Sequence, residues 1–598
     1  MHSHAFAYSP ARSSTTRTSA LAEGSCYNHT LPMIPPTVQL AESKPQHRSE
    51  KVCWITLLAA TAASCLFQIA WFWRFRAHNI TMDGIAYIGL ARHLVDGDVK
   101  ASLHGYWSPL TSWIIAASAL FGRNFTLLGR LVTITSFLLC PPLLYLLTLK
   151  LWRSRVAAAL SVLWFSTARG VAATAVGLIL ADFVLTACVL LYFVLLLRVL
   201  RQDRPVGWLA VGAAHALTFL AKAIAMPWLA ISTVLALLVQ NARSPRRLTA
   251  SLLLVFLFPA AVWIGWGLAL RSKYGQFTTG DQLRTNLMIN WKRRLSHRPR
   301  GDNLAFVDTS SVYDHYMVGE SPLAAVQGFS LRRPGMLSMI LGSEFQNLPQ
   351  ALKETGILLN PGGVLALAAM LAALAKKRSQ YRTQAAFVSI ALLSVLSVIV
   401  AYCMLVFDAR YVIPVLPLLI AISCPALLPA EFAPDAPGVP GWQRKTAAGL
   451  LIVGTVFFTV YWASPFRTVD RDFEASCYQA AAILRAANPH GTLASIGDGP
   501  YPQDGVGFEA APYVAYLAEW RLVAANAELP GLAAADTLAA KALATKADAL
   551  AVWGSSASPV YRHIVETIEH ASASSAARTI TDPYLGEVGT LFLRPRTD

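Results

Sequence analysis

Hydrophobic positions in this chain come in long unbroken runs rather than in the alternations of a soluble strand or surface helix. About 20 apolar residues in a helix cross the hydrocarbon core of a bilayer. The runs predict eleven membrane spans, near 54–73, 126–149, 156–174, 179–199, 206–221, 226–240, 248–270, 355–375, 384–405, 411–428 and 446–463. The third and fourth share one apolar stretch, broken only by Arg169, Gly170 and Asp182.

Polar positions between the runs orient the chain. Lys150, Arg153 and Arg155 follow the second span; Arg198, Arg201 and Arg204 follow the fourth. Arg243, Arg246 and Arg247 follow the sixth, and Lys376, Lys377, Arg378 and Arg382 follow the eighth. Arg444 and Lys445 precede the eleventh. Basic residues collect in cytoplasmic loops, so every second loop and the N-terminus are expected to be cytoplasmic. An odd number of spans then places the C-terminal region outside. The expected organisation is a disordered cytoplasmic tail over 1–50 and a membrane domain over 51–463. Outer loops are expected at 74–125 and 271–354, with a small extracytoplasmic α/β domain over 464–598.

That last domain alternates two periods. Residues 473–487, 534–547 and 560–571 read as helices, while Thr492–Gly497, Asp548–Gly554 and Thr590–Leu593 read as short strands. Asp498-Gly499-Pro500 is a turn signal. Helices alternating with apolar strands make an α/β layer.

Composition agrees with the membrane reading. Apolar residues make up 55% of the 598, mean hydropathy is +0.46, and only 14% are charged, against about 25% in soluble domains. A disordered chain, a coiled coil and a soluble multidomain enzyme are excluded. The net charge of +17 reads first as orientation and only second as a nucleic-acid footprint. Cys65, Cys140, Cys188, Cys403 and Cys424 sit in apolar runs, and no CxxC or zinc-type Cys/His spacing occurs. No P-loop, GxSxG or HExxH motif is present. Asn28, Asn79 and Asn124 head glycosylation sequons.

Candidate chemistry gathers on the outward side. Thr81 can cap a helix that begins near Met82, with Asp83, Tyr87, Leu90 and Leu94 on one stripe. Such a short amphipathic helix lies at the membrane surface and puts one carboxylate where a lipid phosphate would sit. Asp83 also suits the helix dipole in a first turn. Tyr106 to Trp113 reads as an interfacial segment with Pro109 opening a helix. Asp182, near the outer end of the fourth span, is costly in lipid and expected to face a polar cavity. Lys222, between the fifth and sixth spans, either binds phosphate as a point charge or snorkels to the headgroups. Asp408, Arg410 and Tyr411 precede Pro414 and Pro417. Arg410 either grips phosphate oxygens or pairs with Asp408. Lys292, Arg293, Arg294, Arg298 and Arg300 form a basic stretch in the second outer loop, either a solvated face or an anion contact.

Four stretches together resemble the GT-C superfamily of polytopic glycosyltransferases, and within it glycosyltransferase family 39 and its bacterial relatives. They are Asp83 with Tyr87, Ala91 and Gly97; Trp107-Ser-Pro-Leu110; Phe219-Leu-Ala-Lys222; and Asp408-Ala-Arg-Tyr411 with Pro414 and Pro417. That family includes protein O-mannosyltransferases and lipid A aminoarabinose transferases. The likeness covers about 50–465. It implies a sugar donor carried on polyprenyl phosphate, no cofactor and no metal. It implies that Asp83 is the general base of an inverting transfer on the outer face. Lys222 and Arg410 would hold the donor phosphate, Asp182 would line the cavity, and Tyr87 and Tyr411 would contact substrate. The acceptor would be a lipid, glycan or protein, and the location a bacterial plasma membrane. Protein mannosyltransferases carry an Asp-Glu pair where this chain has Asp83-Gly84, which implies a different acceptor. Two rivals are a lipid or glycan transporter, which calls for mid-span charges and inverted repeats, and a non-catalytic scaffold, in which Asp83, Lys222 and Arg410 are all replaceable.

Overall fold

The computed structural model describes residues 44–595 except 74–79, 169, 203–205, 242–243, 280–281, 283–286, 288–304, 307–334, 405–406, 464–472, 498–509, 527–531, 572–574 and 583–585. Residues 1–43 of the expected disordered tail and the basic stretch Lys292–Arg300 lie outside the described residues, while residues 44–50 of that tail are helical and open the first helix. Residues Ser49–Asp598 form one compact unit.

The chain is a polytopic α-helical membrane protein. Helices α1 (Lys44–Trp73), α5 (Phe125–Trp152), α8 (Asp182–Gln202), α11 (Pro245–Tyr274), α12 (Met336–Lys376) and α13 (Arg382–Cys403) contain segments long and apolar enough to cross a membrane. Helices α6 (Arg155–Thr167) and α7 (Val171–Gly177) make a seventh only as a pair bent by 58°. Gly170, at φ +72°, takes the left-handed conformation that the bend requires. Helices α9 (Gly207–Ala221) and α10 (Ala225–Asn241) are apolar but shorter.

Every stretch predicted as a span is at least partly helical, yet besides the bent third span, α6 with α7, two more differ from a straight rod. The expected tenth span is a 3₁₀ turn (Ala409–Val412), then α14 (Leu416–Ser423), then a second 3₁₀ turn (Cys424–Leu427). Pro414, Pro417 and Pro425 interrupt it. Its residues from Leu416 to Leu427 are all buried, so it packs inside the bundle. The expected eighth span belongs to the longer α12, which breaks at Asn360, φ 64° and ψ 156°. Pro361 forces that break, because the residue before proline avoids helical geometry. Asn360 uses its freed side chain to donate to the Leu451 carbonyl at 2.8 Å, on α15 (Gly441–Ala463).

Two short helices lie between α1 and α5: α2 (Met82–Val95) and α4 (Pro109–Ser118), with one turn, α3 (Val99–Ser102), between them. Beyond α15 comes the expected α/β layer. Its sheet contains β2 (Thr492–Ile496), β3 (Arg521–Asn526), β4 (Ala549–Trp553), β5 (Ala576–Asp582) and β6 (Gly586–Leu593). The order is β1-β3-β2-β4-β6-β5, with β3, β2 and β4 parallel. The edge strand β1 is Ala305–Phe306, from the segment between α11 and α12, paired antiparallel with β3.

Strand side chains alternate between the sheet faces, and the two faces here have different partners. Ala494, Ile496, Leu550, Val552 and Phe592 pack with Leu538 of α18 (Leu532–Ala544) and Ile564 and Ile568 of α19 (Pro559–Ala571). Leu493, Ala549, Ala551, Trp553 and Leu591 belong to the same core as the membrane helices. That continuity runs through α16 (Phe473–Ala487) and α17 (Ala510–Ala518).

Candidate active site

The first functional side chain is placed by a helix start. Thr81 is the N-cap of α2, and its hydroxyl accepts from the Gly84 amide at 3.1 Å. This sets Asp83 in the first turn and Tyr87 one turn later, on the same face. Gly84 lies against Ile179: a Cβ there would stand 3.0 Å from the Ile179 Cβ and 3.1 Å from its carbonyl oxygen. A side chain at Gly84 would therefore press on residue 179, which would have to move by a few tenths of an ångström.

Asp182 opens α8, and Lys222 ends α9 with its amide donating to the Thr218 carbonyl at 3.0 Å. The next amide, Ala223, donates to the Ser108 hydroxyl at 2.9 Å, which ties the Lys222 turn to the start of α4. Asp408 caps the 3₁₀ turn that carries Arg410 and Tyr411, accepting from the Arg410 amide at 3.0 Å.

Two ion-paired groups result. Lys222 Nζ lies 2.9 Å from Asp182 Oδ1, with side chains only 11% and 3% exposed. Arg410 bridges two carboxylates, Asp83 at 3.0 Å and Asp408 at 3.3 Å. Asp83 and Arg410 stay about a quarter exposed, at 26% and 24%. Tyr402 and Tyr411 link the groups, with rings stacked at 4.0 Å and 6°. Lys222 Nζ stands 5.5 Å from the Tyr402 ring and 5.0 Å from the Tyr411 ring; Arg410 lies 5.3 Å from Tyr411. Such distances are within cation–π range.

Tyr87 is buried and meets Trp107 edge to face at 5.7 Å. Burial pushes its phenol up, and the carboxylates of Asp83 and Asp182 add to the shift, while Lys222 and Arg410 oppose it. All four charged groups therefore act on one hydroxyl, which stays protonated and able to donate. Within the cluster three carboxylates face two cations. Among the described residues no three His, Cys, Asp or Glu side chains form a group suited to a metal.

The six residues to which the resemblance gave a role, Asp83, Tyr87, Asp182, Lys222, Arg410 and Tyr411, thus share one cluster, together with Asp408. Lys222 does not snorkel: it is buried against Asp182. The Asp408–Arg410 pair does form, with Asp83 as a third member. Tyr402 was not found from the sequence. It sits at the end of an apolar run where one more aromatic carries no signal, and its stacking on Tyr411, carried by the 3₁₀ turn Ala409–Val412, is a tertiary contact.

The arrangement of helices matches known structures. ArnT from Cupriavidus metallidurans bound to undecaprenyl phosphate superposes with a TM-score of 0.50 at 13% identity, over 91% of this chain and 98% of that one. The Archaeoglobus fulgidus oligosaccharyltransferase, tethered to an acceptor peptide containing the NVT sequon, gives a TM-score of 0.50 at 12% identity, over 90% of this chain and 74% of that one. The chain has the GT-C fold. The family model for dolichyl-phosphate-mannose-protein mannosyltransferase matches residues 106–277. No curated protein matches the sequence. The matched GT-C segment contains Asp182 and Lys222 but neither Asp83 nor Arg410. The place of those two in the cluster rests on geometry alone.

Proposed function

We propose that this GT-C chain transfers a sugar from a polyprenyl-phosphate donor to an acceptor on the extracytoplasmic side of a bacterial plasma membrane, with inversion at the anomeric carbon. One observation carries the reading: a partly exposed carboxylate and cation (Asp83 and Arg410), a second cation that is buried (Lys222) and an aromatic stack converge at one site in a fold shared with a protein solved with undecaprenyl phosphate.

In the free protein Arg410 holds the Asp83 carboxylate in an ion pair. A donor phosphate competes for the guanidinium, since both accept paired hydrogen bonds from it. Arg410 then turns from Asp83 to the phosphate. Asp83, released from that pair, takes the proton of the acceptor hydroxyl as that oxygen bonds to the anomeric carbon. The bond from that carbon to the phosphate oxygen breaks, and its electron pair leaves with the polyprenyl phosphate. Lys222 and Arg410 stabilise the charge that develops there. Tyr87 and Tyr411 line the site, and Asp182 holds Lys222 in place. The reading assigns no cofactor. Gly84, in place of a second acid, favours an acceptor other than that of the protein mannosyltransferases.

Donor binding tests the phosphate assignment. Arg410→Ala is expected to weaken undecaprenyl phosphate binding by about 1.5–3 kcal/mol, the worth of a charge-assisted contact. Lys222→Ala alone would strand the Asp182 carboxylate in the interior, at a typical cost of about 3–5 kcal/mol in stability. Lys222→Met with Asp182→Asn removes both charges and is the fairer probe; it should fold and still bind poorly. Undiminished affinity in that double variant and in Arg410→Ala would leave the cations with a purely structural role.

A further inference from the structure

The C-terminal α/β domain meets the membrane domain at the back of the helix that carries Asp83. Arg92 follows Asp83 by nine residues on α2, and at 3.6 residues per turn that is an offset of about 180°. Asp83 faces Arg410, and Arg92 faces away from it. There the Arg92 guanidinium lies between two aromatic rings, 5.5 Å from Phe125 at the start of α5 and 5.4 Å from Tyr516 of α17. Tyr516 is buried, and its hydroxyl is hydrogen-bonded to the Thr126 hydroxyl. One side chain of the outer domain thus holds both the last turns of α2 and the first turn of α5.

A second path runs from α5 to the same helix. Arg130, one turn beyond Thr126, is buried and donates to the carbonyls of Val176 and Gly177 at 3.1 and 2.7 Å. Two residues on, Ile179 fills the slot between Gly84 and Gly129. Both ends of α2 are therefore fixed by groups that Tyr516 touches directly or through α5.

We infer that the C-terminal domain is a positioning part of the active site, and that Tyr516 and Arg92 set where Asp83 stands relative to Arg410 and the bound donor. Tyr516 is a positioning residue; it touches no substrate. The inference rests on the proposed role of Asp83. Displacing a reacting group by about 1 Å costs up to 10²-fold in rate, so a loosened α2 is read in turnover rather than in donor affinity.

The test is a double-variant cycle on the full-length protein in membranes, with turnover read as undecaprenyl phosphate released from the host's lipid-linked sugars. Tyr516→Ala and Arg92→Met should each lower turnover about tenfold or more, with undecaprenyl phosphate affinity within twofold of the parent. Tyr516→Phe, which keeps the ring over Arg92, should restore most of the loss. In an Asp83→Asn background, Tyr516→Ala should lower the residual turnover no further, because its effect passes through Asp83. Additive losses in the cycle, or normal turnover in Tyr516→Ala while Asp83→Asn is inactive, would overturn the inference and leave the proposed function standing. Normal turnover in Asp83→Asn would instead remove the function on which it rests.

Discussion

Lys222 and Asp182 show why a charged residue has to be read together with its partners. In the sequence they stand forty residues apart in two apolar runs, and each alone allowed a local explanation. In the fold they are 2.9 Å apart and buried, and neither would be tolerated there without the other. The sequence could say that two costly charges sat at outward span ends; it could not say that they face each other, because that depends on how α8 and α9 pack. His104 is a plainer case. It is buried, its Nδ1 accepts from the Tyr106 amide at 2.9 Å, and burial together with the nearby Lys273 holds its imidazole down to about 3. The fold keeps it neutral, whereas an unfolded chain protonates it below about pH 6.5. The unfolded state then binds the extra proton, so stability should fall as pH drops from about 6.5 toward 3 and be unaffected above that window. Thermal unfolding in detergent at pH 7.5 and pH 5 should show a smaller difference for His104→Asn than for the parent. An equal pH response in the two proteins would contradict this role for His104.

At the scale of elements, α2 was legible because every local signal agreed: a threonine cap, an acid in the first turn and an apolar stripe. Its helical bounds match the expected start near Met82. The contact with Ile179 was not legible, since a glycine within a helix reads only as weak propensity. Gly84→Ala tests that contact. Overpacking of this kind typically costs about 1–3 kcal/mol, and the crowded atoms are the Ile179 Cβ and carbonyl oxygen, which Ile179→Val retains. Gly84→Ala should therefore lower thermal stability, and Ile179→Val should fail to rescue it; full rescue would show that another atom is the obstacle. Three C-terminal strands, β2, β4 and β6, were found from short apolar runs. Missed were α17, β3, β5 and the edge strand β1. Strand β1 is two residues long and pairs with a segment more than two hundred positions away, so no local pattern marks it.

For the molecule as a whole, the basic loops gave an orientation that packing alone does not supply. Fusing a topology reporter after Arg204, Arg247 or Arg382 should give a cytoplasmic signal, and fusing it near Arg300 or after Asp470 an external one. A cytoplasmic signal from the Asp470 fusion would change the count of eleven spans, since among the described residues six helices, or seven with the bent pair, have the length and apolarity to cross on their own. The overall plan was visible as a rhythm of apolar runs followed by an α/β pattern. The assembly of the site was not, because its residues come from four separate regions of the chain joined only by helix packing. The account turns on Asp83 as the base. Asp83→Asn keeps size and hydrogen bonding while removing basicity, and general-base assistance is worth roughly 10²–10⁴-fold. The decisive measurement is transfer from the lipid-linked donor in membranes that hold equal amounts of parent and Asp83→Asn protein, with undecaprenyl phosphate affinity measured alongside. The account predicts a loss of turnover of about a hundredfold or more with donor affinity retained; near-normal turnover would contradict it.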